Sequence, residues 1–226
     1  SSQSFDLVIN CAAYTAVDKA ETDQGTAFAV NRDGPRNLAK ICARNEIPLI
    51  HISTDYVFDG TQRRPYSEQD SPHPLGVYAV SKEEGEREIR RHHPQHIIFR
   101  TSWLHSSFGN NFVKTIIRLA QERETLKIVS DQYGCPTSAK DLAEAILEVV
   151  KRFLRGTPPV WGTYHFCNRG VTTWHEFAME IVKLASGRVS LKVKEILPIT
   201  TDQYPRPAPR PIYSALDTSR FLQTLG

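Results

Sequence analysis

The chain has 226 residues, of which 40% are hydrophobic and 23% are charged, with a formal net charge of +3. This is ordinary globular composition, which argues against an intrinsically disordered chain. The basic residues are dispersed rather than gathered in a stripe, and no apolar run approaches the length of a membrane span. We therefore expect neither a nucleic-acid partner nor a membrane partner.

The cysteines at positions 11, 42, 135 and 167 form no C-x-x-C pair, so the sequence predicts no metal site. The chain also lacks the basic start and apolar stretch of a secretory signal. We therefore expect reduced thiols and a cytoplasmic protein.

Hydrophobic periodicity and turn residues predict alternating strands and helices. In chain order the predicted elements are strand Leu7–Cys11, helix Gln24–Asn45, strand Pro48–Ser53, helix Val77–His92, strand His96–Thr101, helix Asn111–Glu122, strand Thr125–Val129, helix Lys140–Leu154, strand Tyr164–Phe166, helix Thr173–Leu184 and strand Leu191–Leu197. The pair Gly34–Pro35 predicts a kink or a restart in the first helix. Thr172 or Thr173 is the predicted N-cap of the last helix, with Glu176 completing a capping box. The segments Thr54–Gly76 and Thr201–Pro211 are rich in turn residues or proline and are expected to be irregular.

This alternation predicts an α/β fold with a mostly parallel sheet. Such sheets bind ligands beyond the carboxyl ends of their strands. The functional residues should therefore directly follow Cys11, Ser53 and Thr101. The Gly-rich dinucleotide loop, the phosphate loop, the nucleophile elbow and the H-E-x-x-H motif are all absent from the sequence.

Two residues of the second predicted helix suggest acid–base chemistry. Tyr78 and Lys82 are four residues apart and share one helix face. An ammonium near a phenol lowers its pKa, so the pair predicts a usable proton donor or acceptor. Thr54, at the end of a predicted strand, supplies a hydroxyl upstream of this pair. His51, inside that strand, is interpreted as a structural histidine.

Thr54, Tyr78 and Lys82 together form the pattern of the extended branch of the short-chain dehydrogenase/reductase superfamily. Four further segments stand in order, namely Asn10–Glu21, Ser53–Gly60, Arg100–Trp103 and Asp131–Thr137, and Arg210–Pro211 follows them. With these segments the sequence closely resembles the dTDP-4-dehydrorhamnose reductase family, from Phe5 to the end of the chain.

The resemblance implies a Rossmann-like doubly wound parallel sheet, whose first strands are missing, with a small C-terminal substrate-binding part. Residues 1–130 would be the remainder of the NAD(P)-binding domain, and residues 131–226 mainly the substrate-binding region, interleaved with the sheet. The implied reaction is reduction of the 4-keto group of a dTDP-sugar, dTDP-4-dehydro-L-rhamnose, with NADPH or NADH. A homodimer is the implied assembly.

By the same resemblance, Tyr78 protonates the C4 oxygen of the sugar and Thr54 donates a hydrogen bond to that oxygen. Lys82 holds the nicotinamide ribose and tunes Tyr78. The implied cofactor-binding residues are Ala12, Ala13, Thr15, Ser53, Tyr78 and Lys82.

The implied substrate-binding residues are Thr54, Tyr78, Trp103, Asn111, Asp131, Gln132 and Arg210. Trp103 has a core aromatic as its alternative interpretation, Asp131 and Gln132 a polar turn, and Arg210 a solvated loop charge. Trp174 and Phe177 are interpreted as packing residues.

The sequence departs from the family pattern at its start, where the Gly-rich turn and a second strand are lacking. From the size of a βαβ unit plus a further helix, we expect about 50 residues to be absent upstream. The resemblance also implies that a short piece after Gly226 is missing. Two alternative functions stay open. One is a sugar-nucleotide dehydratase or 4-epimerase of the same superfamily, against which Tyr56 after Asp55 argues. The other is a non-catalytic regulatory subunit resembling the beta subunit of methionine adenosyltransferase.

Overall fold

Short buried strands run through the centre of the molecule, and helices connect them. The computed structural model describes residues 5–157 and 159–225. The strands are β1 Val8–Asn10, β2 Leu49–Thr54, β3 His96–Thr101, β4 Leu104–His105, β5 Thr125–Val129, β6 Tyr133–Gly134, β7 Thr137–Ser138, β8 Gly162–His165, β9 Thr172–Thr173 and β10 Glu195–Ile199. The helices are α1 Val17–Ala20, α2 Gln24–Phe28, α3 Gly34–Arg44, α4 Val77–His92, α5 Phe112–Glu122, α6 Ala139–Leu154, α7 Trp174–Ser186 and α8 Ser219–Thr224.

The central sheet has the order β1-β2-β3-β8 and all its strand pairs are parallel. This confirms the predicted α/β fold. Strands β2 and β3 are almost fully buried, as expected for strands that are covered on both faces. β1 lies at the edge of the sheet among the described residues, and Ile9 on it is 40% exposed.

Helices cover both faces of this sheet, because successive side chains of each strand point to opposite sides. On one face Leu49 and Ile98 pack against Ile89 of α4 and Ala39 of α3. On the other face Ile50, Ile97 and Phe99 pack against residues of α6 and α8, namely Leu142, Ile146, Val149 and Phe221. The molecule therefore has three layers, and α4 lies directly against the face that carries the odd-numbered residues of β2.

A smaller part of the molecule is built around the parallel pair β5–β10. Helices α5 and α7 pack on it through Ile116, Ala178 and Ile181. The predicted last strand, Leu191–Leu197, lies slightly too early, since the pairing with β5 begins only at Glu195. The pairs β4–β7 and β6–β9 involve two residues per strand and show no periodicity that a sequence could reveal.

The predicted domain division at residue 130 stays a prediction. The chain crosses between the central sheet and the smaller part. β5 and α5 pack with β10 and α7, whereas α6 and β8 join the central sheet. No helix in the described ranges is long and apolar enough to cross a membrane.

The predicted interruption of the first long helix takes the form of a π-helical segment. This segment, Ala29–Asp33, lies between α2 and α3, and Gly34 and Pro35 form the first turn of α3. Proline is accepted there because the first turn of a helix requires no N–H from it. The predicted capping box is confirmed, with the Thr173 hydroxyl accepting from the Glu176 N–H and the Glu176 carboxylate accepting from the Thr173 N–H.

Candidate active site

Thr54 is the last residue of β2 and lies at the predicted carboxyl edge of the sheet. It is buried and caps a short 3₁₀ turn, Asp55–Val57, by accepting a hydrogen bond from the Tyr56 N–H at 3.2 Å. Its hydroxyl donates to Asp55 Oδ1 at 3.1 Å. The strand end therefore fixes the Thr54 oxygen, while the neighbouring carboxylate attracts its proton.

Tyr78 lies in the first turn of α4, close to Thr54. The Glu21 carboxylate accepts a hydrogen bond from the Val77 N–H at 2.9 Å and so fixes the start of this helix. The Tyr78 ring meets the edge of the Tyr56 ring, with ring centroids 6.2 Å apart.

The surroundings of Tyr78 correct one expectation from the sequence. Burial raises the pKa of Tyr78 to about 12, and the charge of Asp55 adds to this, whereas the Thr54 hydroxyl opposes it. The predicted lowering of the phenol pKa by Lys82 is therefore wrong for this structure. Helical spacing places both residues on one face, but it does not fix how far apart their polar ends lie.

Lys82 lies one turn further along α4 and is only 2% exposed. Its Nζ donates to the carbonyl of Ile52 at 2.6 Å and lies 3.3 Å from His51 Nε2. Burial lowers the pKa of Lys82 to about 8, although the charge of Glu86 opposes this shift. The amine is thus held against β2 and loses its proton at a lower pH than an exposed lysine would.

A buried ion pair lies beneath Lys82. Arg100 on β3 binds Glu86 on α4 with two nitrogens, the shortest bond being 2.6 Å between Nη2 and Oε2. Burial opposes ionisation of Glu86, but Arg100 more than compensates and holds its pKa at about 2. The Ser53 hydroxyl donates to Glu86 at 2.5 Å, so its side chain points into this pair and its predicted contact with the cofactor stays a prediction.

The loop after β1 contributes small, accessible residues to the same edge. Ala12 and Thr15 are exposed and Ala13 is half-buried. The loop is fixed by Asn31, whose side chain accepts from the Tyr14 N–H at 2.8 Å and donates to the Tyr14 carbonyl at 3.0 Å. Because Asn31 also donates to the Ser81 hydroxyl at 3.0 Å, it joins this loop to the helix that carries Tyr78 and Lys82.

A cavity of about 490 Å³ opens beside the catalytic candidates, a volume typical of small-molecule sites. Tyr56 forms part of its wall and contacts Tyr78 at the same time. Apolar residues of α5 and β5 line one side, and polar residues from the C-terminal part line the other. The polar and aromatic lining includes Gln132, Trp174, Thr201, Tyr204, Arg206 and Arg210.

The structure reverses the predicted positions of Trp103 and Trp174 relative to the cavity. Trp174, for which the sequence predicts a packing role, lines the cavity. Trp103 stacks on it at a centroid distance of 3.5 Å and an interplanar angle of 9°. The backbone of Trp103 has a φ of 48°, in the left-handed region that is unusual for such a residue, so the turn that presents it is tightly determined.

Three predicted substrate residues have their side chains bound to neighbouring backbone or hydroxyl groups. Asn111 caps α5, accepting from the Lys114 N–H at 3.1 Å and donating to the Ser106 carbonyl at 2.7 Å. Asp131 accepts from the N–H and the hydroxyl of Thr201 at 2.9 and 2.7 Å. Gln132 donates to the same hydroxyl at 3.1 Å and also lines the cavity.

Arg210 is held by an acidic partner far away in the chain. Its Nη1 donates to Asp18 Oδ1 and to the Ala208 carbonyl, both at 2.6 Å. Arg206 lies 3.6 Å from the other oxygen of Asp18. Both arginines line the cavity, so one carboxylate positions two guanidinium groups, which suit the oxygens of a phosphate ester.

Sequence reasoning missed several of these supporting residues. Asp18 and Glu21 lie within the recognised segment after β1, but their partners are far along the chain. Asn31 gave no signal, because its role depends on the π-helical segment. In the described part of the chain, no group of three or more histidine, cysteine, aspartate or glutamate side chains is placed to hold a metal ion.

Comparison with known proteins agrees with this geometry. Residues 1–226 match the family described as the RmlD substrate binding domain. The dTDP-4-dehydrorhamnose reductase of Sinorhizobium fredii is 42% identical over 222 residues, which are 98% of this chain and 75% of that protein. The crystal structure of a dTDP-4-dehydrorhamnose reductase from Clostridium acetobutylicum has 42% identity and a TM-score of 0.90, covering 98% of this chain and 75% of that one.

A second solved structure is the dTDP-4-dehydrorhamnose reductase of Bacillus anthracis in complex with NADP. It is 39% identical, has a TM-score of 0.87, and covers 96% of this chain and 74% of that one. The chain therefore belongs to the RmlD substrate-binding-domain family, the family of the dTDP-4-dehydrorhamnose reductases.

Proposed function

We propose that this chain reduces the 4-keto group of dTDP-4-dehydro-L-rhamnose to dTDP-L-rhamnose, using NADPH or NADH, with Tyr78 as the proton donor. The observation that carries the proposal is the position of Tyr78 beside Thr54 at the end of β2, next to a cavity of about 490 Å³ that two arginines line. Family membership supports the substrate and the cofactor.

The loop after β1 fits a nicotinamide cofactor. Ala12 and Ala13 leave room for close approach of a flat ring, and Lys82 and Thr15 lie at the same edge of the sheet. When bound, the cofactor supplies the hydride, and the protein supplies orientation and the proton. Ser53, whose hydroxyl is bound to Glu86, would contribute through its backbone.

Tyr78 has the properties of a proton donor at neutral pH. Since its pKa is raised to about 12, the phenol is protonated. As negative charge develops on the C4 oxygen, the phenol transfers its proton to that oxygen and becomes a phenolate. The Thr54 hydroxyl, whose hydrogen points at Asp55 Oδ1 in this structure, would turn to donate it to the same oxygen and so stabilise the developing charge.

The cavity would bind the nucleotide part of the substrate. We assign Arg210 and Arg206 to the diphosphate, because a guanidinium matches phosphate oxygens with paired N–H groups. Trp103 would support the sugar pocket through Trp174. Asn111, Asp131 and Gln132 would shape it by fixing the start of α5 and the turn at Thr201.

Replacing the proposed proton donor tests this function. We expect Tyr78→Phe to lose about 10²- to 10⁴-fold in turnover, the usual contribution of general acid catalysis. The measurement is oxidation of NADPH or NADH with dTDP-4-dehydro-L-rhamnose. Tyr164→Phe is the matched control, because Tyr164 is buried in the core and donates to the Val160 carbonyl. Equal turnover by Tyr78→Phe and its parent would refute the proposed role.

The same assay separates the alternatives. A dehydratase or epimerase would convert a sugar nucleotide without net oxidation of the cofactor. A regulatory subunit would show no turnover and would capture a synthetase from solution. We also propose that the protein is cytoplasmic. We propose a homodimer as its assembly, and light scattering of the purified chain would test this.

A further inference from the structure

His51 joins two parts of the active site that the proposed reaction uses separately. It lies in the middle of β2 and is completely buried. Its Nδ1 is 3.0 Å from Asn10 Nδ2, and its Nε2 is 3.3 Å from Lys82 Nζ. Both ring nitrogens therefore face a polar partner, and the positions of the hydrogens follow from those partners.

The orientation of the Asn10 amide is fixed by the loop after β1. Asn10 Oδ1 accepts a hydrogen bond from the Ala12 N–H at 3.1 Å. The amide NH₂ group must then point at His51, since a rotated amide would set its NH₂ group against the Ala12 N–H. Because the NH₂ group only donates, His51 Nδ1 has to accept and carries no hydrogen.

A neutral imidazole carries one hydrogen, so the hydrogen of His51 lies on Nε2. Burial lowers the pKa of His51 well below its ordinary value, and the charge of Glu86 opposes this only in part. The ring is therefore neutral, and its Nε2–H points at Lys82 Nζ.

Lys82 must then accept this hydrogen bond with a lone pair, which an ammonium does not have. The observed arrangement thus fits a neutral amine that accepts from His51 and donates to the Ile52 carbonyl. Since the pKa of Lys82 is lowered to about 8, this neutral form predominates above that pH.

Protonation of Lys82 would disturb the whole chain of bonds. An ammonium beside Nε2 carries only hydrogens, and it would then face the Nε2–H, so the His51 hydrogen must move from Nε2 to Nδ1. There it would face the Asn10 NH₂ group, and the amide must rotate, which removes Oδ1 from the Ala12 N–H. We propose that His51 is a positioning residue that couples the charge of Lys82 to the hold of Asn10 on the backbone of Ala12.

This coupling deepens the proposed function, on which it rests, because Lys82 and Ala12 both belong to the proposed cofactor site. A charged Lys82 would coincide with a released Ala12 N–H. Other groups also face this region. Glu86 on α4 is neutralised by Arg100 from β3, and Cys11 lies near Lys82.

The test observes the tautomer of His51 directly. The chain is labelled with ¹⁵N-histidine, and two-bond ¹H–¹⁵N correlations, which show the ring nitrogen that carries hydrogen, are recorded from pH 7 to 10. His51→Gln identifies the His51 signals. We expect hydrogen on Nε2 above the pKa of Lys82 and a shift toward Nδ1 below it. The Ala12 amide proton should change its chemical shift over the same pH range.

The variant Lys82→Met is one control, and the signals of a second histidine, His175, are the other. In Lys82→Met we expect His51 to keep its hydrogen on Nε2 at every pH, because Asn10 still donates to Nδ1. The His175 Nε2 faces the Ile196 carbonyl at 3.0 Å, so its signals should not respond to Lys82→Met. A His51 tautomer that is independent of pH in the parent chain, or hydrogen on Nδ1 at high pH, would overturn the coupling. Neither outcome depends on reductase turnover, so failure of the proposed function is recognised separately.

Discussion

Asp55 is a buried carboxylic acid in direct contact with the proposed catalytic Thr54. One of its oxygens accepts from the Thr54 hydroxyl at 3.1 Å. Among the described residues the other oxygen, Oδ2, is buried and makes no hydrogen bond. The Ser214 hydroxyl lies nearby but donates to the Tyr133 carbonyl at 3.4 Å. Burial raises the pKa of Asp55 from 3.8 to about 7, and the hydroxyls of Ser214 and Thr54 only reduce this shift.

The raised pKa predicts how Asp55 affects stability at different pH values. Below pH 4 the carboxyl is protonated in both the folded and the unfolded chain, and its favourable contribution is complete. As the pH rises toward 7 the unfolded chain loses the proton first, so the contribution is lost. The amide of Asp55→Asn never ionises. We therefore expect this variant to exceed the parent in free energy of unfolding at pH 8 by up to about 4 kcal/mol, with little difference at pH 4.

Urea unfolding at the two pH values measures this difference, and Asp217→Asn provides a control of opposite sign. The Asp217 carboxylate accepts from the hydroxyl and the N–H of Ser219, and these bonds lower its pKa. Its amide variant should lose stability mainly at pH 8. If Asp55→Asn instead became less stable than the parent as the pH rose, the folded chain would stabilise the charged carboxylate of Asp55, and the prediction would be wrong.

At the residue scale, the sequence could predict positions but not hydrogen-bond partners. The sequence predicts the positions of Thr54 and Tyr78 because local patterns indicate a strand end and the start of a helix. No local sequence pattern indicates that the carboxylate of Asp55, the neighbour of Tyr56, is buried. The partner of Arg210, Asp18, is 192 residues away, and sequence spacing carries no information about such a contact.

At the scale of elements, α4 packs very closely against the π-helical segment before α3. A Cβ at Gly85 of α4 would collide with the carbonyl oxygen of Asn31, whereas a Cβ at Gly25 of α2 would meet nothing within 4 Å. The close approach matters for the site, because Asn31 connects the loop at Tyr14 to α4. The sequence showed a helix interruption at Gly34–Pro35, but not that the interruption creates a packing surface.

These two glycines give a matched pair of variants. We expect Gly85→Ala to lower the free energy of unfolding by about 1–3 kcal/mol, because the backbones must separate. Gly25→Ala should raise it by about 0.4–1 kcal/mol, since alanine restricts the unfolded chain and favours the helix. Chemical denaturation of both variants measures the values. Stabilisation by Gly85→Ala would contradict the close contact between α4 and Asn31.

At the scale of the whole molecule, Asp18 connects the two ends of the described chain. Its carboxylate binds Arg210, contacts Arg206 and accepts from the Ala208 N–H at 3.3 Å. These arginines lie within the proline-rich stretch, and residues 204–210 form neither a strand nor a helix. An acidic side chain on α1 therefore holds the segment that forms one wall of the cavity.

Removing that charge should loosen the segment without unfolding the protein. Asp18→Asn keeps the size of the side chain but loses the charge-assisted bonds, each of which contributes about 1.5–3 kcal/mol. We expect the Ala208 amide to exchange its hydrogen roughly 10- to 100-fold faster, because local opening becomes easier. Exchange followed by NMR measures this effect. Glu122→Gln is the control, since the exposed Arg118–Glu122 pair lies on α5 alone and its loss should leave Ala208 unchanged. If Ala208 exchanged equally in both variants, Asp18 would not be what holds the cavity wall in place.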